Sequence, residues 1–327
     1  MMTGSGPASA PHPAIQCENL TKHYNGVPAL EGLTLRIPEG SIGLLGENGA
    51  GKTTFIKLVL GLLRPTAGSA RVLGYDVSRP REALELRRRV GYMPEDDCLP
   101  PDYSAFDLLV RLGRLSGLPK ETAVQRTHDV LHLVGLGEER YRPIGGYSTG
   151  MKQRVKLAQA LVHSPRLVLL DEPTSGLDPQ GREEMLDLIR EIRAKMRLSL
   201  VLSTHLLPDV EKTCDRVIIL RAGQLLAQGP LQELVRGVHE GVAVRIVGDR
   251  GAFLQKLQER GLRAEERGSE ILVYAPSPPS QAQDDPETVY DIIVEAAAAT
   301  GAQLRRMERP SRSLEELYLE LYGEASG

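Results

Sequence analysis

"GENGAGKTT", Gly46 to Thr54, decides how the rest of this sequence is read. It fits G-x-x-x-x-G-K-[ST] and follows the apolar run "SIGLL", Ser41 to Leu45, which reads as a buried strand. The glycines let backbone N–H groups curl round phosphate oxygens. Lys52 brings a positive charge to the β and γ oxygens, and the Thr53 hydroxyl is placed for Mg²⁺. The candidate binding loop is therefore Gly46, Glu47, Asn48, Gly49, Ala50, Gly51, Lys52, Thr53 and Thr54.

A phosphate cradle needs partners at the ends of neighbouring strands, because ligands of open α/β sheets sit there. "RLVLLDEPTSGLD", Arg166 to Asp178, delivers Asp171 at the end of a second apolar strand, where a carboxylate can hold Mg²⁺ through water. Glu172 follows and is placed to act on a water attacking the γ-phosphate, although adjacent acids also open ordinary Asp-Glu-Pro turns. Asp178-Pro179 reads as an N-cap with Pro at the first helical position. "LVLSTHLLPD" sets His205 just past a third buried strand, within reach of the same phosphate. "YSTGMKQRVKLAQALV", Tyr147 to Val162, opens with Ser-Thr-Gly before an amphipathic helix. Ser148 reads as a helix cap, and a helix N-terminus with Ser148 and Gly150 is also a ready anion site. His128 and His132 stand four residues apart, but no further ligand completes a metal site.

Outward from these motifs the chain divides. The tail 1–13, "MMTGSGPASAPHP", has neither a basic nor an apolar segment of a signal peptide and reads as disordered. Residues 14–238 alternate apolar strands with helices, an α/β pattern, interrupted at about 95–165 by a helical insertion. Residues 239–327 follow a different order, with a strand, a helix, a hairpin around Arg267-Gly268-Ser269, a Pro-rich linker at Pro276–Pro286, a helix and a strand. That βαββαβ order is ferredoxin-like, α+β. Ser313 and Glu316 then form a capping box before a last helix carrying Leu314, Leu317, Tyr318 and Leu321 on one side.

Bulk properties narrow the function. The 327 residues carry a net charge of −3, which gives no support for broad nucleic-acid binding. Three scattered cysteines, Cys17, Cys98 and Cys214, without a CxxC pair, point to a reducing cytosol. No apolar run approaches the roughly 18 residues a membrane helix needs.

The set of loop, "STG" turn, "LLDEPTSGLDP" and "STH", in this order and spacing, resembles the nucleotide-binding domain of ATP-binding-cassette (ABC) transporters over Ile15 to about Gly237. The resemblance implies a P-loop NTPase fold with an ABC-type helical subdomain, and ATP and Mg²⁺ as ligands. It implies that "YSTGM" stands at the family signature LSGGQ, which caps the ATP of the other subunit in a head-to-tail dimer. Ser148 and Gly150 match; Tyr147, Thr149 and Met151 depart. Tyr24 matches the aromatic that stacks on adenine. Glu95, in "GYMPED", stands where the family has a Gln, and as a carboxylate can still ligate Mg²⁺. Asp178 matches the loop that crosses the dimer interface, and His205 the switch histidine. The C-terminal part resembles the tail of a branch whose separate ATPases serve multi-helix permeases, many of them exporters. The expectation is thus an ATP-hydrolysing subunit, in a homodimer or heterodimer, held by a permease at the cytoplasmic face of the membrane. The rival is a soluble ABC-type ATPase acting on nucleic acid or ribosomes, which predicts tandem cassettes, a coiled-coil insertion or a basic face; this chain shows one cassette and a slight negative charge.

Overall fold

A computed structural model of the protein describes residues 13–235, 241–268, 270–274, 286–308 and 313–324. The expected tail, the 238/239 boundary, the Pro-rich linker and Ser269 of the hairpin lie, wholly or almost wholly, outside the described residues. The chain divides into two compact units, Met1–Leu231 and Gln232–Gly327.

The first unit begins with an element that the sequence pattern does not announce. Strands β1 (Ile15–Tyr24) and β2 (Val27–Ile37) form a hairpin. Past β3 (Ser41–Leu45) and helix α1 (Lys52–Val59), β4 (Ala67–Val72) and β5 (Tyr75–Asp76) join it as an antiparallel sheet in the order β2-β1-β4-β5. The alternation that would mark β1 is broken. Ile15, Cys17 and Leu20 all point inward, and the register slips between Cys17 and Leu20, where Asn19 has φ 48°.

The second sheet carries the motifs. After α2 (Pro80–Arg87) comes β6 (Val90–Met93). Helices α3 (Ala105–Leu115), α4 (Lys120–Leu133) and α5 (Thr149–Leu161), with two 3₁₀ turns between α4 and α5, make up the helical insertion. The chain returns through β7 (Leu167–Asp171), α6 (Pro179–Met196), β8 (Ser199–Thr204), α7 (Leu207–Thr213), β9 (Arg216–Arg221) and β10 (Gln224–Pro230), and the short helix α8 (Leu231–Val235) falls at the division between the units. The order is β10-β9-β3-β8-β7-β6, parallel from β9 to β6 with β10 antiparallel at the edge. Every residue of β3, β7 and β8 is buried, which is why these strands read as continuous apolar runs. The parallel arrangement brings the C-terminal ends of β3, β7 and β8 side by side. Leu45 pairs with Thr204, and Asp171 with Ser203.

In the second unit β11 (Gly241–Val247), α9 (Arg250–Glu259), β12 (Arg263–Arg267), β13 (Glu270–Tyr274), α10 (Pro286–Thr300) and β14 (Gln303–Glu308) build an antiparallel sheet ordered β12-β13-β11-β14. This order interleaves two βαβ halves. Phe253 and Leu257 of α9 and Ile293 of α10 close an apolar core with Val244, Ile271 and Val273. Helix α11 (Leu314–Glu324) opens with the reciprocal box: the Glu316 N–H donates to Ser313 Oγ at 3.1 Å, and the Ser313 N–H to Glu316 Oε2 at 3.0 Å. Among the described residues no helix is long and apolar enough to cross a membrane.

Candidate functional site

The loop between β3 and α1 is shaped by close backbone approach. A Cβ on Gly46 would stand 2.5 Å from the Leu220 carbonyl oxygen, and one on Gly51 would stand 2.6 Å from that of Ala29. Gly51, at φ 100°, also turns the chain into α1. Lys52 is thereby the first residue of α1 and points inward, 6% exposed. Its Nζ donates to the carbonyls of Gly46 at 2.7 Å and Glu47 at 3.2 Å, and stands 3.4 Å from Glu172 Oε1. The lysine thus lies over its own loop, with its charge against the acid from β7.

Glu172 leaves β7 in the left-handed region, φ 47°, with its N–H donating to the Ser203 carbonyl at 2.9 Å. That turn swings the side chain of a 4% exposed residue toward Lys52 rather than into the core. His205 Nδ1 stands 3.1 Å from both Glu172 oxygens and donates to them when protonated there. The carboxylate is therefore held between an ammonium and an imidazole, an oriented acceptor for a proton.

Asp171 is 1% exposed, and burial pushes its carboxyl above the usual carboxylate range. Neither of its oxygens makes a hydrogen bond of good geometry among the described residues, although the Ser203 and Thr53 hydroxyls beside it oppose the upward push of burial. Buried carboxylate oxygens without a full set of donors, beside the Thr53 hydroxyl at a strand end, are the donor set a hard divalent cation satisfies, so the residues fit Mg²⁺. Burial, then the charges of Asp171 and Glu172, likewise raise the Glu95 carboxyl, as expected of an acid facing two others.

A cavity of about 490 Å³ gathers most of the expected residues. Its lining includes Tyr24, Glu47, Asn48, Gly49, Gly51, Lys52, Thr53, Thr54, Glu95 and Glu172. Tyr24, at the end of β1, keeps 44% of its surface exposed, so a ring face is open for stacking; Lys22 Nζ lies 5.2 Å from the ring centroid. Gly46, Ala50, Asp171 and His205 are absent from this lining; Ala50 and Asp171 are buried.

Ser148, Gly150 and Asp178 are not brought to this cavity. They gather elsewhere. Ser148 caps α5, accepting from the Met151 N–H at 3.3 Å, and Asp178 caps α6, accepting from the Gly181 N–H at 2.8 Å. The methyl of Thr149 faces Gly176, where a Cβ would be 3.4 Å away, and Gln153 donates to the Ser175 carbonyl at 2.9 Å. The turn 147–151 and the loop 175–178 thus form one ledge. The departure at Tyr147 has a local reason: its ring is buried and its hydroxyl donates to the Glu139 carbonyl. His128 packs against Phe106, ring centroids 4.8 Å apart, and no cluster of three metal-ligating side chains occurs among the described residues.

Two polar residues of the site region lie inside the quoted stretches, yet the sequence gives neither a role. Asp209 of α7, fully buried, accepts from the Thr174 hydroxyl at 2.8 Å and Arg182 Nε at 2.6 Å, bracing the turn after Glu172. Lys156 of α5 is 3% exposed and donates to the Glu95 carbonyl at 2.7 Å. A lysine between Val155 and Leu157 on a helix that buries this face was the available signal.

Comparison with known proteins gives a consistent answer. Residues 30–175 match the ABC transporter family. An uncharacterized ABC transporter ATP-binding protein of Bacillus subtilis (strain 168) is 36% identical over 94% of this chain and 99% of its own length. The Nod factor export ATP-binding protein I of Ralstonia nicotianae is 33% identical over 97% and 96% of the two chains. The daunorubicin/doxorubicin resistance ATP-binding protein of Streptomyces peucetius is 33% identical over 96% and 93%. Among solved structures, the ATP-binding subunit of an ABC transporter superposes with a TM-score of 0.60 at 31% identity, covering 68% of this chain and 92% of that one.

Proposed function

This chain belongs to the ABC transporter family as an ATP-binding, ATP-hydrolysing subunit, and we propose that it powers an exporter whose membrane path is a separate permease. The cavity carries the reading of the site: it joins exposed Tyr24, the glycine loop, Lys52, Thr53 and the acids Glu95 and Glu172, groups whose chemistry suits ATP. Tyr24 stacks on adenine. The amides of Gly46 to Thr54 and the Lys52 ammonium hold the phosphates, Lys52 exchanging its loop carbonyls for phosphate oxygens. Thr53, Asp171 and Glu95 would hold Mg²⁺, which when bound neutralises charge on the phosphates. Glu172 takes the proton of the attacking water, oriented by His205. Export is supported by the Nod factor export and drug resistance relatives, and the chain is held at the cytoplasmic face of the membrane by the permease.

The position of Ser148, Gly150 and Asp178 away from their own cavity supports their serving a second ATPase chain. The test mixes two variants, each with Glu172→Gln to block turnover. Lys52→Ala spoils the cradle and Ser148→Arg spoils the turn. Alone, each homodimer has two defective sites. A mixed dimer has one complete site, so mixing restores ATP-dependent association, read by size-exclusion chromatography. No gain on mixing, with both variants folded and exchanging subunits, would reduce Ser148 to a helix cap.

A further inference from the structure

Several contacts along helix α5 tie it to its neighbours, and three of them reach β6 or the loop that follows it. Near its C-terminal end it lies directly on β6: a Cβ on Gly91 would stand 2.0 Å from the Ala160 carbonyl oxygen, and His163 Nε2 is 3.1 Å from the Val90 carbonyl. In its middle, buried Lys156 reaches the loop that follows β6, its Nζ 2.7 Å from the Glu95 carbonyl oxygen. One turn earlier, Lys152 Nζ stands 3.2 Å from Asp97 Oδ2 at the surface. The loop offers three successive acids, Glu95, Asp96 and Asp97, so two lysines four residues apart on α5 meet a surface of opposite sign. Glu95 lines the nucleotide cavity, and Ser148 caps the start of α5. About 12 Å of regular helix separates Lys156 from Ser148.

We propose that Lys156 is a positioning residue for ATP hydrolysis, tying the Glu95 loop to α5 so that the two move as one piece. A displacement of Glu95 by ligand in one cavity then sets the pose of the turn that the same chain offers to the other site. The proposal rests on the reading that Glu95 faces the nucleotide and Ser148 the partner's. An ammonium on a backbone carbonyl suits this role. The bond survives changes in the Glu95 side chain and, being buried, is little screened by water. The Lys152–Asp97 pair is exposed and adds less.

The experiment compares Lys156→Met and Lys156→Arg with the full-length wild type. Methionine keeps the apolar stem and removes the donor. In Lys156→Met kcat falls about tenfold while KM for ATP stays within about twofold, because Lys52 and Tyr24 still bind the ground state and only alignment is lost. Without nucleotide, amide hydrogen exchange of residues 94–99 accelerates while that of β3, β7 and β8 does not. Lys156→Arg keeps a donor and recovers most of both losses. Wild-type kcat together with wild-type exchange in Lys156→Met overturns the proposal. So does a slower enzyme whose 94–99 exchange is unchanged and which Lys156→Arg does not rescue. If Lys156→Met does not fold, Lys156→Gln is read by the same two measurements. The tie and the site reading fail separately. Faster loop exchange without association in the mixing test removes the role of Ser148 and leaves the tie. Association with an unaltered Lys156→Met removes only the tie.

Discussion

The two units of this chain handle buried polarity in opposite ways. In the first, Lys52, Lys156, Asp171, Glu172 and Asp209 are all buried, and Glu172 sits at positive φ. Among the described residues of the second, the buried side chains are all apolar and positive φ is confined to glycines. Burying charge is expensive unless it is paired or put to use, and a non-glycine residue at positive φ adds strain. A unit that carries both must be held by a large surrounding core, which the two sheets and the helices of the first unit supply. The second unit has only the ordinary problem of covering one face of a sheet with two helices. Chemistry should therefore be fragile in the first unit and absent from the second, and substitutions can test that division.

The largest effect should come from Glu172→Gln. The amide keeps the shape and can still meet His205, but it cannot take a proton, so kcat should fall by roughly 10² to 10⁴. ATP binding should persist and an ATP-dependent dimer should accumulate, visible by size-exclusion chromatography. A variant that hydrolyses ATP at the wild-type rate would move the base elsewhere and break the comparison at its strongest point.

How much of this was legible depended on how far apart the cooperating residues lie. The cradle could be read because phosphate binding uses consecutive residues, Gly46 to Thr54. Asp171 and Glu172 could be read because a buried strand must end where the ligand sits. In the second unit the order of strand, helix, hairpin, helix and strand was legible, and it is the order found. By contrast β1 was not recognised, because its register slips erase the period of two. Lys156 and Asp209 were passed over because their partners, Glu95 and Thr174, are 61 and 35 residues away. Nothing local marks such a residue except a charge on a face that turns out to be buried. The ledge of Ser148 and Asp178 was read through resemblance, since each is locally no more than a good helix cap.

The next effect should be one of stability alone. Phe253 is fully buried among Val244, Leu257, Ile271 and other apolar residues of the second unit's core. Phe253→Ala removes most of a ring and leaves a cavity, at a cost of about 3–5 kcal/mol. Thermal unfolding should show that loss while the ATPase rate per folded chain stays near wild type. A fall in kcat comparable with that of Glu172→Gln, at a temperature where the variant is folded, would mean that the second unit takes part in chemistry.

The smallest effect is also the most discriminating, because it compares like with like across the two units. Ser148 and Ser313 are both N-caps, each accepting from the N–H three residues on, at 3.3 Å and 3.1 Å. Local physics assigns both the same value, so alanine at either should cost about 1 kcal/mol. If capping were the whole role of each, the two variants would behave alike: slightly less stable, equally active. The proposed site makes them differ. Ser148 belongs to the ledge offered to the nucleotide of another chain, so Ser148→Ala should also weaken ATP-dependent association, measured with Glu172→Gln in both chains. Losing one hydrogen bond to a charged phosphate corresponds to about tenfold in that equilibrium. Ser313→Ala should leave association unchanged, since its partner Glu316 lies in its own helix. Equal association constants for the two variants would show that the turn 147–151 is worth no more to the protein than the start of α11, and the functional division between the units would then rest on the cradle alone.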